Sequence, residues 1–185
     1  MWFMMNDAAT DFIRDLQNDP SKYPDRVVGI VLGAMLDERL SSTLQACVQQ
    51  DSKLIEKSFD HESNVFGTFG ARANLGFFLG LFSKETHRDL ELVAKIRNRF
   101  AHKVEVALFD DNPVCNWVDE LKIPKKRIEI NNGTTVWDFS PQNLPTLKSR
   151  REIYIRAIQA LNVGLFLEPA NPIHPPNQSP RQPRF

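Results

Sequence analysis

Cysteine is scarce. Cys47 and Cys115 are the only two in 185 residues, far apart and with no CxxC pair or Cys/His cluster beside them. Their spacing argues against a thiolate zinc site and against a disulfide framework, and it predicts a chain suited to a reducing cytoplasm. A surplus of either charge is also missing, because 23 Lys and Arg balance 23 Asp and Glu. There is therefore no global positive field to hold a long nucleic acid, and any such contact must rest on a local patch. Long apolar runs are lacking too. "VVGIVLGAML" and "ANLGFFLGLF" fall short of the roughly 20 residues needed to cross a bilayer. The opening "MWFMMNDAATDF" has neither the basic flank nor the length of apolar run of a signal peptide. The expectation is a soluble cytoplasmic protein with no membrane contact, no metal and no cofactor.

What the chain does have is enough apolar content, 42% of its residues, for one core. The spacing of those residues is mostly helical. Asp7 to Asn18 reads as an amphipathic helix that stops at Asp19-Pro20. Pro24 stands where a helix accepts its first residue, and Val28, Leu32, Met35, Leu36, Leu40, Leu44 and Val48 follow at three- and four-residue intervals. "SKLIEKSF" comes next, then a stretch with small residues at 67, 70, 71, 73, 76 and 80. Small residues let a neighbouring helix approach closely, a better account than phosphate cradling because no GxGxxG or P-loop spacing occurs.

Ser83 is a candidate N-cap for a helix whose buried stripe is expected to be Val93, Ile96, Phe100 and Val104, with Glu91, Lys95, Asn98, His102 and Glu105 opposite. Val114 to Leu121 forms a further short helical segment. Alternation around Asn132-Gly133 predicts a small β-hairpin. Ser149 and Glu152 make a capping box for a last helix with Ile153, Ala157, Leu161 and Leu165 inward. Six prolines follow Glu168. The predicted organisation is an N-terminal helical arm over residues 1–22, an all-α domain with a β-hairpin insertion over 23–168, and a proline-rich disordered tail over 169–185.

One segment carries the chemistry. "KIRNRFAHK" places Arg97, Asn98 and His102 within six positions of a helix. Asn98 and His102 are nearly aligned, while Arg97 lies about 140° around from His102 but is long enough to bend back. Two readings compete: a solvated polar face with a hydrogen-bonded histidine, or a site for acid-base work on a phosphate. Cleavage of RNA by its own 2′-hydroxyl needs a proton acceptor, a proton donor and positive charge near phosphorus. One chain offers one suitable histidine, so a two-fold pair of this helix would complete the set.

"RNRFAH" resembles the Arg-x4-to-6-His signature of the HEPN superfamily, and Phe66 to His102 resembles the mannitol operon repressor family within it. The likeness extends back to "VLGAMLDERL" and fades near Asp111. The resemblance implies a HEPN-like helical bundle, frequent homodimerisation and two roles. In the ribonucleases of the superfamily, arginine and histidine form a metal-independent RNA-cleaving site across a dimer; carried over, these are Arg97 and His102, with Asn98 as the accompanying polar residue. A variant of this first role is a toxin or defence effector held inactive by a partner, an antitoxin or another regulatory protein. Repressor-family members are instead regulators of transcription, which work here through protein partners.

Other charges admit two readings each. Asp37, in the row of Gly33, Leu40 and Leu44, and Arg72, among small residues, are expected to pair as buried charges do, or else to support the cleft. Lys122, Lys125, Lys126 and Arg127 form one basic run, and Lys148, Arg150 and Arg151 another. With Lys95 and Arg99 they are candidates for phosphate contact, against plain surface solvation. Trp137 and Phe139 are candidates for base stacking, against anchoring the hairpin.

Overall fold

The computed structural model describes residues 7–19, 21–48, 51–60, 65–123, 127–131, 134–138 and 149–167. Seven helices follow in order among them: α1 (Asp7–Asn18), α2 (Asp25–Cys47), α3 (Ser52–Phe59), α4 (Phe69–Phe78), α5 (Lys84–His102), α6 (Val114–Glu120) and α7 (Arg150–Leu167). The fold is all-α in its described core. Between α6 and α7, β1 (Arg127–Asn131) pairs antiparallel with β2 (Thr134–Asp138), with Glu129 opposite Val136. The turn expected at Asn132-Gly133, the proline-rich tail and the basic residues Lys125, Lys126 and Lys148 lie outside the described residues. Among the described residues no helix is long and apolar enough to cross a membrane.

Helix α2 is the hub, packed against α4, α5 and α7. Its Val28, Leu32, Leu36, Leu40 and Leu44 are buried, each worth about 2 kcal/mol relative to an exposed side chain. Pro24 caps it from an extended conformation, ψ 149°, so the helix begins one residue later than the sequence suggests. Two glycines on α2 set the distance to its neighbours. A Cβ at Gly29 would overlap the Phe100 ring of α5, and one at Gly33 would lie 2.7 Å from Arg97 Cβ. Tyr154 of α7 closes the third side, donating its hydroxyl to the Gly29 carbonyl at 3.0 Å. Full burial pushes the Tyr154 phenol well above its ordinary range, so it remains a neutral donor.

The small residues of α4 behave less uniformly than expected. Gly76 accommodates Phe82, but a Cβ at Gly70 would meet nothing within 4 Å. Ser83 Oγ accepts the Thr86 N–H at 3.2 Å and starts α5. Val93, Ile96 and Phe100 are buried, whereas Val104 is 82% exposed. The expected stripe ends early because Lys103 adopts an extended conformation and terminates α5 at His102, which also puts Glu105 beyond the helix. Arg26 then reaches across to the carbonyls of Lys103 and Val104, each at 3.3 Å. In α7, Ala157, Leu161 and Leu165 are buried as the spacing predicts; Ile153 is half-buried and Tyr154 occupies the core beside it.

Charged side chains tie these helices together. Arg72 Nη1 lies 2.8 Å from Asp37 Oδ1, both buried, and Arg72 Nη2 donates to the Phe59 carbonyl at 2.7 Å. One guanidinium thus joins α2, the end of α3 and α4. Asp89, fully buried on α5, accepts the Lys122 and Ile123 N–H groups beyond α6, at 3.0 and 2.7 Å. Between α5 and α6, Asp111 accepts the N–H groups of Ala107 and Leu108, each at 2.8 Å. That loop inserts Phe109 edge-on against Phe100 and beside Tyr154, with centroids 5.1 and 4.9 Å apart.

Two outcomes are expected. Asp37→Ala strands the Arg72 guanidinium in the core, and loss of one partner of a buried pair costs about 3–5 kcal/mol. Urea unfolding should show that loss, and Asp37→Leu combined with Arg72→Met should recover most of it; an unchanged midpoint in the single variant would remove the pair from the stability argument. The second concerns pH. The two N–H groups of Leu108 and Ala107 hold the Asp111 carboxyl below its ordinary value. A depressed folded-state pKa contributes stability above the unfolded-state pKa, near 3.9, and that contribution disappears as pH falls through the folded value. The advantage of the wild type over Asp111→Ala should therefore shrink on acidification below about pH 4. A constant difference from neutral to strongly acid pH would contradict this.

Candidate functional site

On α5 the positions Glu91, Lys95, Asn98 and His102 follow at steps of four, three and four, so one face of the helix carries all four. The structure sets this face opposite the start of α4 and leaves a groove of about 610 Å³ between them. Lys95, Arg97, Asn98 and His102 line it, so four of the sequence-predicted residues share one cavity. Arg97 is off the row by angle, as expected. It reaches the groove because Gly33 has no side chain to block its Cβ and Cγ.

Arg97 Nη1 donates to Asn98 Oδ1 at 2.9 Å. A guanidinium only donates, so the amide oxygen must face it and the Asn98 NH2 is left to donate elsewhere. Among the described residues that NH2 has no acceptor, and neither has the buried Arg97 Nε. The His102 imidazole is exposed at the last residue of α5, and Lys95 is exposed one turn before Asn98. The groove thus offers several donors that no protein acceptor occupies.

The facing wall is the beginning of α4. Thr68 Oγ1 accepts the Ala71 N–H at 3.2 Å, and the Thr68 carbonyl accepts the Arg72 N–H at 3.1 Å. First-turn N–H groups have no acceptor within their own helix and give that end a partial positive charge. Phe69 and Gly70 bring this end to the groove, where Gly70 leaves the wall open. Asp37 also lines the cavity, but its carboxylate is neutralised by Arg72. The buried pair therefore stands behind the site as well as within the core.

Several expected residues lie elsewhere. Arg99 is half-buried on α5 and does not line the groove. Arg150 and Arg151, candidates for phosphate contact, are both engaged by carboxylates. Arg150 bridges Asp119 at 2.8 Å and Asp110 at 2.5 Å, and Arg151 pairs with Asp25 at 2.5 Å. These pairs link the start of α7 to Asp25 on α2, Asp119 on α6 and Asp110 in the loop before α6. Hydrogen bonds to the Asp119 and Asp110 carboxylates push the already high pKa of Arg150 further up. Arg127 takes its place in β1 through backbone pairing with Asp138, and Trp137 pairs with Ile128; Phe139 lies outside the described residues.

Sequence reasoning missed the α4 wall and gave Glu91 no role. A signal for the wall existed in Thr68, whose hydroxyl before "FGAR" has the form of an N-cap. Among the described residues, no three His, Cys, Asp or Glu side chains converge as a metal-binding group would. Comparison with protein-family models, with curated proteins and with solved structures finds no match for this chain.

Proposed function

We propose that this groove binds single-stranded RNA and that a homodimer cleaves it without a metal, in the manner of the HEPN ribonucleases. The observation that carries the reading is the meeting of Lys95, Arg97, Asn98 and His102 in one groove opposite a helix N-terminus. The HEPN-like form of the bundle, with its small hairpin insertion, is part of the same proposal. Its support is the central packing of α2 on α5 and α7 and the Arg-Asn-x-x-x-His order on α5.

The chemistry follows from the donors. Arg97 and Lys95 attract the phosphate, and the Asn98 NH2 and the α4 N-terminus donate to its non-bridging oxygens as charge accumulates there. One His102 imidazole accepts the proton of the 2′-hydroxyl as O2′ bonds to phosphorus. The imidazolium of the second copy returns a proton to O5′ as the P–O5′ bond breaks. The products are a 2′,3′-cyclic phosphate and a 5′-hydroxyl.

RNA incubated with the protein in EDTA should yield those ends. His102→Ala should slow cleavage by about 10²- to 10⁴-fold, and Arg97→Ala should weaken both binding and rate. If no form cleaves any RNA while sedimentation shows intact dimers, the ribonuclease reading fails. The non-catalytic regulator, acting through protein partners, then takes its place.

A further inference from the structure

The groove contains one charge that a phosphate-binding site should not tolerate. Glu91 lines it, its side chain is 44% exposed, and Lys95 is one turn away. Its nearest basic partner is His87, with Nδ1 at 4.0 Å, beyond hydrogen-bond length. His87 is fixed by other contacts: its Nε2 is 2.8 Å from Asn74 Oδ1 and its ring stacks on Phe77 with centroids 4.9 Å apart. An amide oxygen only accepts, so Nε2 carries the proton in the neutral ring, and Nδ1 presents a lone pair toward Glu91. Neither Glu91 oxygen is therefore taken up by a short bond to His87.

Distance then decides what Glu91 can do. Eleven residues separate it from His102, about 16 Å along the helix axis at 1.5 Å per residue. That separation is too great for Glu91 to share a phosphate with His102 as a second acid or base. A strand lying in the groove with its reacting phosphate at His102 reaches Glu91 a few units away. There a phosphate would be repelled, so the strand must present donors at that point.

We infer that Glu91 is a specificity-determining residue that selects guanine at one position displaced from the reacting phosphate. This rests on the RNA-binding reading of the groove. A carboxylate offers two acceptors side by side. Guanine alone among the four bases has two adjacent donors on its pairing edge, N1–H and the N2 amine. Adenine and cytosine put an acceptor beside their amine, and uracil flanks its single N–H with two carbonyls, so each turns a lone pair toward one carboxylate oxygen. Asp37 cannot do the same, because it is buried and paired with Arg72.

The test uses the full chain and uridine heptamers with 2′-O-methyl riboses, which cannot attack their own phosphates. Guanosine, inosine or adenosine is placed at each position in turn, and binding is read by fluorescence anisotropy. Guanosine at one position should bind about ten- to a hundredfold more tightly than adenosine there, with inosine, which lacks the N2 amine, in between. Glu91→Gln should reduce the preference to within about twofold while binding all-uridine heptamers at least as well as the wild type. Arg97→Ala should weaken every heptamer alike. Binding that depends on Arg97 but shows no base preference, or the same preference in Glu91→Gln, would overturn the inference and leave the RNA-binding reading standing. Failure of the wild type to bind any heptamer would overturn both.

Discussion

Helix α2 meets α5 and α7 at a distance that only glycine permits, and the rest of the molecule is arranged around that contact. Gly29 admits the Phe100 ring and Gly33 admits the stem of Arg97, with the Tyr154 hydroxyl 3.1 Å from where a Gly33 Cβ would stand. The same approach makes the core and shapes the groove. Without it Phe100 could not reach its buried place, and Arg97 would be displaced from the face it shares with Asn98. Stability and the candidate site therefore depend on the same few ångströms.

Charge has a different role in each part of the fold. Inside, Asp37 with Arg72 and Asp89 with two N–H groups bind helix ends together. A buried pair of this kind adds little net stability compared with a well-packed apolar pair, but it strongly disfavours arrangements that separate the partners. Around α7, Arg150 and Arg151 fix the last helix onto α2 and α6. In the groove, Arg97 Nε and the Asn98 NH2 stand without protein acceptors among the described residues.

The groove carries polar groups toward both ends, and they are uneven in sign. At the His102 end, Arg97 and Asn98 are joined by a hydrogen bond that orients the amide. At the other end, Glu91 stands beside a histidine held by Asn74 and Phe77. An elongated ligand with charge at one point and neutral donors at another matches such a gradient better than a single small anion would.

Much of the fold was legible in the residues. Periodicity gave the helices, Ser83 and Ser149 marked helix starts, and the two charges in apolar surroundings had few ways to be satisfied except by each other. Alignment of Asn98 with His102 followed from the helical repeat alone. These are local properties, set within a few residues by backbone geometry and side-chain type. Tertiary structure decided the rest. It fixed which glycines lie under a neighbour, stopped α5 at His102 and exposed Val104, engaged Arg150 and Arg151 with acids distant in sequence, and set Thr68 to Gly70 opposite α5. Each depends on segments far apart in the chain, whose mutual distance no local pattern records.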